Sequence, residues 1–514
     1  MFSFRLITTF IVVMALVIIA TGCKKTTTEE TFEPKLLLSN LSVSVVKQGT
    51  EIITIIARDE HDSTQTFSVE CEDEDIASVT KTDSTITVTG KNLGTTNVTV
   101  SCGNNLTRTF PVEVYNPKVL GADELIIQYV DQFEYRWCSL GPGDTWGTSF
   151  YHPVTTDGFH ALGSFSFREL SNPTGKKAVV VVKAKDGSDA LKPPVDYDSV
   201  WSNQGSGIGD FGSLWNPVPP TGYKALGTVA QQGFDKPSLD EVVCVREDLA
   251  INGDCGEGLF GGNNGRAKCM VYLIEPPDAG AKDSCFLSTG TFVGTEIFPR
   301  IPSFPVMNVL KIKLPMKKEG PNQDFAPKLT GYDTPPEVTV PLMGKEMFVP
   351  WSLLKDEQLS EIERYKDSPL YRLERQVFYK LLYHNYNQTS VQQENKFTIR
   401  SGITTSESQR IYNNTRIEIN VQAGLRFRYF AVSGYLKTSV TVTKDFGYEK
   451  QTDVTELRET EVENTIFTPP GKAAALWQKY NRFILKRHNG TTFEPVESWE
   501  FGIDSYITDE FPHE

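Results

Sequence analysis

Histidine is scarce in this chain, with six in 514 residues: His61, His152, His160, His384, His488 and His513. None falls in an H-E-x-x-H pair, so the spacing of a helical zinc protease is missing. There is no G-x-S-x-G elbow for a hydrolase nucleophile. No two of the eight cysteines stand as C-x-x-C, which removes the commonest zinc spacing. The reading is therefore no enzyme, no catalytic residues, no metal and no cofactor, although a triad or carboxylate pair assembled from distant residues stays open. Positive charge is also short. Fifty-one Lys and Arg stand against 65 Asp and Glu, for a net charge of -14. Phosphate binding needs concentrated Lys and Arg, so a nucleic-acid partner is excluded, whereas a local patch that contacts a membrane is not. Long apolar runs are missing too. The longest, Leu6 to Ala20, is shorter than the ~20 residues that span a bilayer.

That run has a meaning of its own. Arg5 precedes it, and Ala20-Thr21-Gly22-Cys23 follows, which is the layout of a secretory signal. Small residues running directly into a cysteine resemble a bacterial lipobox. The resemblance implies a signal peptide over 1–22, lipidation of Cys23 and a polar tether over 23–34. A transmembrane anchor and plain secretion are the competing readings. Lys24 after the cysteine, rather than Asp, points to the outer membrane. The expected localisation is thus the bacterial cell envelope, with membrane lipid as a partner through the anchor. In an exported protein the other seven cysteines are open to oxidation. Cys71 and Cys102 lie in one small β-rich stretch and are expected to pair. Cys244, Cys255, Cys269 and Cys285 allow two bridges in any of three connectivities, which leaves Cys138 over.

A length of 514 suggests two to four domains, and 39 glycines with 29 prolines favour β-structure. Residues 35–116 alternate at period two, as in Ile52-Ile-Thr-Ile-Ile-Ala57 and Thr85-Ile-Thr-Val-Thr89, with turn residues at short intervals. Ile76-Ala-Ser-Val79 and the run Thr87 to Val100 resemble bacterial Ig-like group 2 domains, which implies a spacer sandwich.

Residues 119–315 contain a duplication. Trp137, Pro153, Gly158, Gly163 and Pro173 each recur 64 residues later, as Trp201, Pro217, Gly222, Gly227 and Pro237. A fainter third copy is Phe286-Leu-Ser-Thr-Gly290, echoing Tyr223-Lys-Ala-Leu-Gly227. A unit rich in Gly, Pro and aromatics and repeated this way predicts a pseudo-symmetric, β-prism-like domain. Trp201, Trp215, Tyr223 and Phe234 are candidates for a ligand platform, with core packing as the plainer alternative. Gly205-Ser-Gly207-Ile-Gly209 lacks the lysine and the helix of a phosphate loop and reads as a turn. The sequence Pro217-Val-Pro-Pro-Thr-Gly-Tyr-Lys-Ala-Leu-Gly227, followed by Lys236 to Leu249, closely resembles the vacuolar protein sorting-associated protein 62 family over about 130–315.

Residues 328–514 alternate over longer stretches. Tyr371, Leu373, Val377, Tyr379, Leu381 and Tyr383 oppose Arg372, Glu374, Gln376, Lys380 and His384. A second alternation, expected as one long strand, runs from Arg416 to Tyr429. Soluble strands usually have ~5–6 residues. The polar stretch from Thr398 to Thr468, with Pro469-Pro-Gly-Lys472 after it, resembles the epsilon-toxin and mosquitocidal-toxin branch of the aerolysin superfamily. That resemblance implies an elongated β-domain and an insertion hairpin over 424–448, with Gly424, Phe427, Tyr429, Val440, Val442 and Tyr448 as its candidate residues. Arg426 and Arg428 must then face a lumen, because a charge on the lipid face costs about 2–4 kcal/mol at the midplane.

The fold expected is all-β: an Ig-like sandwich, a pseudo-repeat β-prism-like domain and an elongated aerolysin-like β-domain. The function expected is receptor or glycan binding by the middle domain and membrane insertion as a homo-oligomer by the last. The alternative is a non-lytic carbohydrate-binding adhesin or a structural lipoprotein.

Overall fold

The computed structural model describes residues 32–513 apart from 104, 122–123, 140–146, 207–209, 264–267, 278–284, 298–305, 313–317, 320–325, 352–353, 416, 421–423, 428–437, 441–458 and 493–497. The protein is all-β, with two short α-helices of seven and eleven residues among the described residues. Cys23 and the segments 1–22 and 23–31 lie outside the described residues.

The chain begins as two facing four-stranded sheets. One joins Lys35–Leu38, Thr50–Arg58, Thr85–Gly90 and Ala77–Lys81. The other joins Val43–Val46, Leu106–Tyr115, Gly94–Cys102 and Phe67–Cys71. Strand alternation builds the core directly: Ile53, Ile55, Ile86 and Val88 from one sheet meet Val98, Val100, Phe110 and Val112 from the other. The expected Cys71–Cys102 bridge is not there, and both thiols are free. Cys102 pairs with Phe67, four residues along the strand from Cys71. At ~3.3 Å per residue the two are about 13 Å apart, far beyond disulfide reach. Cys138, Cys244, Cys255 and Cys269 are free as well, and burial pushes the thiols of Cys244 and Cys269 up to about 12.

Residues 125–312 fold as three copies of one unit. Each copy contributes a three-stranded sheet: Phe133–Cys138 with Ser149–Pro153 and Phe165–Phe167, then Asp196–Ser202 with Gly212–Val218 and Val229–Gln232, then Asp254–Asn263 with Lys268–Glu275 and Phe292–Ile297. Each also contributes strands to a companion sheet, as Leu125–Val130 and Val179–Ala184 do in the first, Leu191–Lys192 and Cys244–Arg246 in the second, and Ala250–Asn252 and Asn308–Ile312 in the third. The third copy is real but shifted. Strand register matches Phe286 with Tyr223, as the sequence suggests, because each is the residue opposite its companion strand at the equivalent place. By the centre one residue has been inserted, so Thr291 rather than Gly290 faces Gly227.

The last part is a five-stranded antiparallel sheet in the order Lys318–Glu319, Leu342–Pro350, Leu370–Tyr386, Ala473–Arg487, Ser498–Phe511. Its central strand has 17 residues, roughly 55 Å of extended chain. A two-stranded ribbon, Gln393–Ser401 with Thr460–Thr468, packs Ile399 and Ile466 on Ala474 and Leu476 near one end.

One large core joins the companion sheets to this C-terminal sheet, from Ile127, Val182 and Leu310 to Leu373, Phe483 and Trp499. Helix Glu361–Asp367 sits at that seam, started by a capping box between Ser360 and Glu363. Its Tyr365 ring lies 5.8 Å from Tyr129, and Lys366 reaches Asp131 at 2.8 Å. The N-terminal sandwich rests on the C-terminal sheet too. Met343 N donates to Ser39 O at 2.7 Å, Arg372 donates to Ser44 O at 3.1 Å, and Lys486 bridges Glu51 and Glu374 at 3.2 and 2.9 Å.

Candidate functional site

Two regions hold the features that the sequence marks for function: the centre of the threefold unit and the chain that leaves the C-terminal ribbon.

At the centre, Gly163, Gly227 and Thr291 converge at successive 64-residue steps. A Cβ on Gly163 would lie 2.8 Å from Gly227 Cα, and one on Gly227 would lie 2.6 Å from Thr291 Cβ. The glycines are there because two backbones and a threonine occupy one point. Hydrogen bonds turn around the same point: Ser164 N donates to Thr228 O at 2.9 Å, and Thr228 N donates to Phe292 O at 2.8 Å. The Ser164 hydroxyl accepts from Ala230 N at 2.9 Å, and the Thr228 hydroxyl accepts from Gly294 N at 2.8 Å, the same bond one copy later.

The residue opposite each of these positions differs by copy. His152 Nδ1 meets Ser164 Oγ at 3.3 Å, Thr228 Oγ1 donates to Asn216 Oδ1 at 2.6 Å, and Leu273 pairs with Phe292. His152 also has Glu241 Oε1 at 3.5 Å, and Glu241 in turn bonds Arg136. Ser164 and Glu241 both address the same ring nitrogen, and Ser164 is fully buried, so this trio holds the interior together and presents no open nucleophile. Burial, and then the Arg136 charge, lowers His152 to about 3, while burial raises Glu241 despite the pull of Arg136.

The four aromatics proposed as a platform are not brought to one face. Trp201 lies in the core, its ring 6.0 Å from Trp137. Trp215 is half-buried against a different cluster, with its Nε1 donating to Ser213 Oγ at 2.8 Å. Tyr223 is buried, its hydroxyl donates to Asp189 O at 2.6 Å, and Lys192 covers its ring at 4.8 Å. Phe234 is half-buried and meets the exposed Phe211 edge-on at 5.6 Å. Gly205 has the positive φ expected of its turn, at 80°.

The second region begins at the ribbon. Ser401 pairs with Thr460, so residues 402–459 leave and return at one point. Within this excursion, helix Thr405–Thr415 buries Ile411 in the large core beside Ile403 and Ile417. The single long strand expected from Arg416 to Tyr429 is instead a short hairpin, Ile417–Asn420 against Gly424–Phe427, with Ile417 opposite Phe427 and Ile419 opposite Leu425. Period two is preserved across a hairpin as well as along a strand, so the alternation alone did not reveal the reversal. Farther on, Thr438–Val440 pairs with Cys285–Leu287 and adds a strand to the third copy's companion sheet. Of the candidate hairpin residues, Gly424 and Phe427 lie in the hairpin and Val440 in the added strand. Tyr429, Val442 and Tyr448 lie outside the described residues. Sequence reasoning missed this added strand, since nothing in Thr438-Ser-Val440 names its partner.

A comparison with curated proteins found no match. Among solved structures, GNIP1Aa from Chromobacterium piscinae is 21% identical over 37% of this chain and 35% of that one, with a TM-score of 0.30. The chain thus spans about a third of the length of that relative. Cry35Ab1 is 12% identical over 77% of this chain and 91% of that one, with a TM-score of 0.33. Domains 4 and 5 of the S-layer protein SbsC are 23% identical over 16% of this chain and 53% of that one, with a TM-score of 0.15. The family model for vacuolar protein sorting-associated protein 62 matches residues 97–329, and with them the whole threefold unit, so this part of the chain is similar to that family.

Proposed function

We propose that this protein is a surface lipoprotein, anchored through Cys23, that binds a receptor or glycan with its threefold unit and inserts residues 402–459 into a target membrane as part of an oligomeric β-barrel. One observation supports insertion above the others: the ribbon pairs Ser401 with Thr460, so the whole excursion can swing out without breaking the five-stranded sheet. The excursion is longer than the two strands of ~9–11 residues that a barrel hairpin needs. Among its described residues, the body is met by Ile403, the short helix, Ile417 and a three-residue edge strand. An added edge strand is a natural place of release, because its backbone bonds are regained in the barrel.

A static adhesin is the second reading, and the burial of Ile411 and Thr415 favours it, since release would expose them. Dye release from lipid vesicles, with and without limited proteolysis, separates the two. Release accompanied by a heat-resistant oligomer is expected. A persistent monomer with no release under any lipid or protease condition would sink insertion and leave the binding role alone.

A further inference from the structure

One place in the threefold unit occurs twice and has diverged. Val245 lies opposite Leu191 in the second copy, and Leu310 lies opposite Ala250 in the third. Four residues before each stand Glu241 and Val306, and two before each stand Val243 and Asn308. The facing residues are His152 and Asn216, which are themselves 64 residues apart.

Between the first and second copies this place is closed. Glu241 bonds Arg136 and approaches His152, while Val243 N donates to Ala161 O at 3.0 Å. Between the second and third copies it is open. Val306 stands in place of the carboxylate and is 73% exposed, and Asn216 stands in place of the histidine. A cleft of about 370 Å³ lies there, walled by Pro217, Pro219, Val293 and Val306, with Asn216 and Asn308 also lining it. Asn308 is only 7% exposed. Its Nδ2 donates to Ala225 O at 2.9 Å, but its buried Oδ1 has no hydrogen-bond partner among the described residues. A buried amide oxygen without a donor is costly unless a ligand or water supplies one. Asn216 has its oxygen engaged by Thr228, while its Nδ2 has, among the described residues, a 3.5 Å contact with Gly294 O.

The cleft therefore offers a lightly used donor and an apolar wall, and the unpartnered Asn308 acceptor lies buried in its lining, to be reached by a ligand that turns the amide outward. Among the described residues that line it there is no carboxylate and one lysine, Lys224, which is 3.4 Å from Asn252 Oδ1. We propose that it binds one neutral hexopyranose ring at the end of a glycan. Sugar hydroxyls donate and accept at once, so one can donate to Asn308 Oδ1 while its neighbour accepts from Asn216 Nδ2. The C–H face of the ring rests on Pro219 and Val306. The volume is at the small end for ligand sites, which suits a single ring. This deepens the receptor-binding role proposed above and does not depend on membrane insertion.

The test uses full-length protein, the methyl glycosides of galactose, glucose, mannose and N-acetylglucosamine, and ligand-observed NMR with calorimetry. At least one glycoside is expected to bind saturably in the millimolar range. Val306→Glu adds a charge at an exposed position and is expected to weaken binding at least about tenfold with an unchanged melting temperature. Asn216→Ala is expected to weaken it as well. No binding by any of the four, or binding that neither substitution alters, overturns the proposal. Binding to target cells that the glycosides fail to compete would also overturn the sugar cleft, while leaving the receptor role standing. Absence of cell binding would remove the receptor role itself.

Discussion

His488 is held neutral by its surroundings. Its ring stacks on Tyr115 at 4.7 Å between the sandwich and the C-terminal sheet. Burial, and then the charge of Arg372, lowers it to about 3. The unfolded chain takes up this proton near pH 6.5, so the stabilisation is complete above pH 6.5 and is lost as pH falls towards 3. Between pH 6.5 and pH 4 the loss from this one group is about 3 kcal/mol. Melting temperature measured against pH should fall on the acid side, and His488→Phe, which keeps the stacked ring, should reduce that limb by about half, because His152 is lowered as far. An unchanged limb would show that another group controls it. Gly227 makes a second residue-scale case. Gly227→Ala puts a methyl 2.6 Å from Thr291 Cβ and should cost about 1–3 kcal/mol in denaturant unfolding. Adding Thr291→Gly should return part of that loss, and additivity of the two changes would deny the contact. The sequence displayed Gly227 as a repeated residue. It did not show why it recurs, because the crowding comes from residues 64 positions away on each side.

Elements were legible where side-chain period and length agreed. The alternation from Tyr371 became the strand Leu370–Tyr386, and the alternations in 35–116 became the sandwich strands. The alternation after Arg416 did not extend, because a reversal between Asn420 and Gly424 leaves the same faces aligned. The added strand Thr438–Val440 allows a test of insertion. Val440 lies opposite Cys285. Val440→Cys should form a disulfide with Cys285 under oxidation, abolish dye release, and regain it on reduction. Equal release from the oxidised and reduced forms would mean that this strand need not leave the body.

The sandwich and the C-terminal sheet act on one another through buried charge. Arg372 and Glu374 belong to the polar face of the strand pattern, yet they are 3% and 2% exposed, because the sandwich covers that face. Arg372 lies 3.6 Å from Glu346, and Lys486 joins Glu374 to Glu51. Arg372→Ala removes the cation beside Glu346 and should cost about 3–5 kcal/mol. It should also speed proteolysis between the sandwich and the threefold unit, around Asn116 to Lys118. A stability close to that of the unmutated protein would mean that the joint rests on its apolar contacts and backbone bonds instead.

What the sequence by itself determined was local. Period-two patterning, turn residues and a fixed 64-residue repeat specify strands, an all-β chain and copies of one unit, since each depends on neighbours in the chain or on comparison of the chain with itself. Tertiary structure decided the rest. It turned the expected aromatic platform into core and separate surface contacts, kept Cys71 and Cys102 apart by strand register, and buried Arg372 under a distant sandwich. It also closed one copy of a shared place with Glu241 while leaving the other open at Val306. Those outcomes depend on which surfaces meet, and residues hundreds of positions apart set that meeting through register, burial and charge.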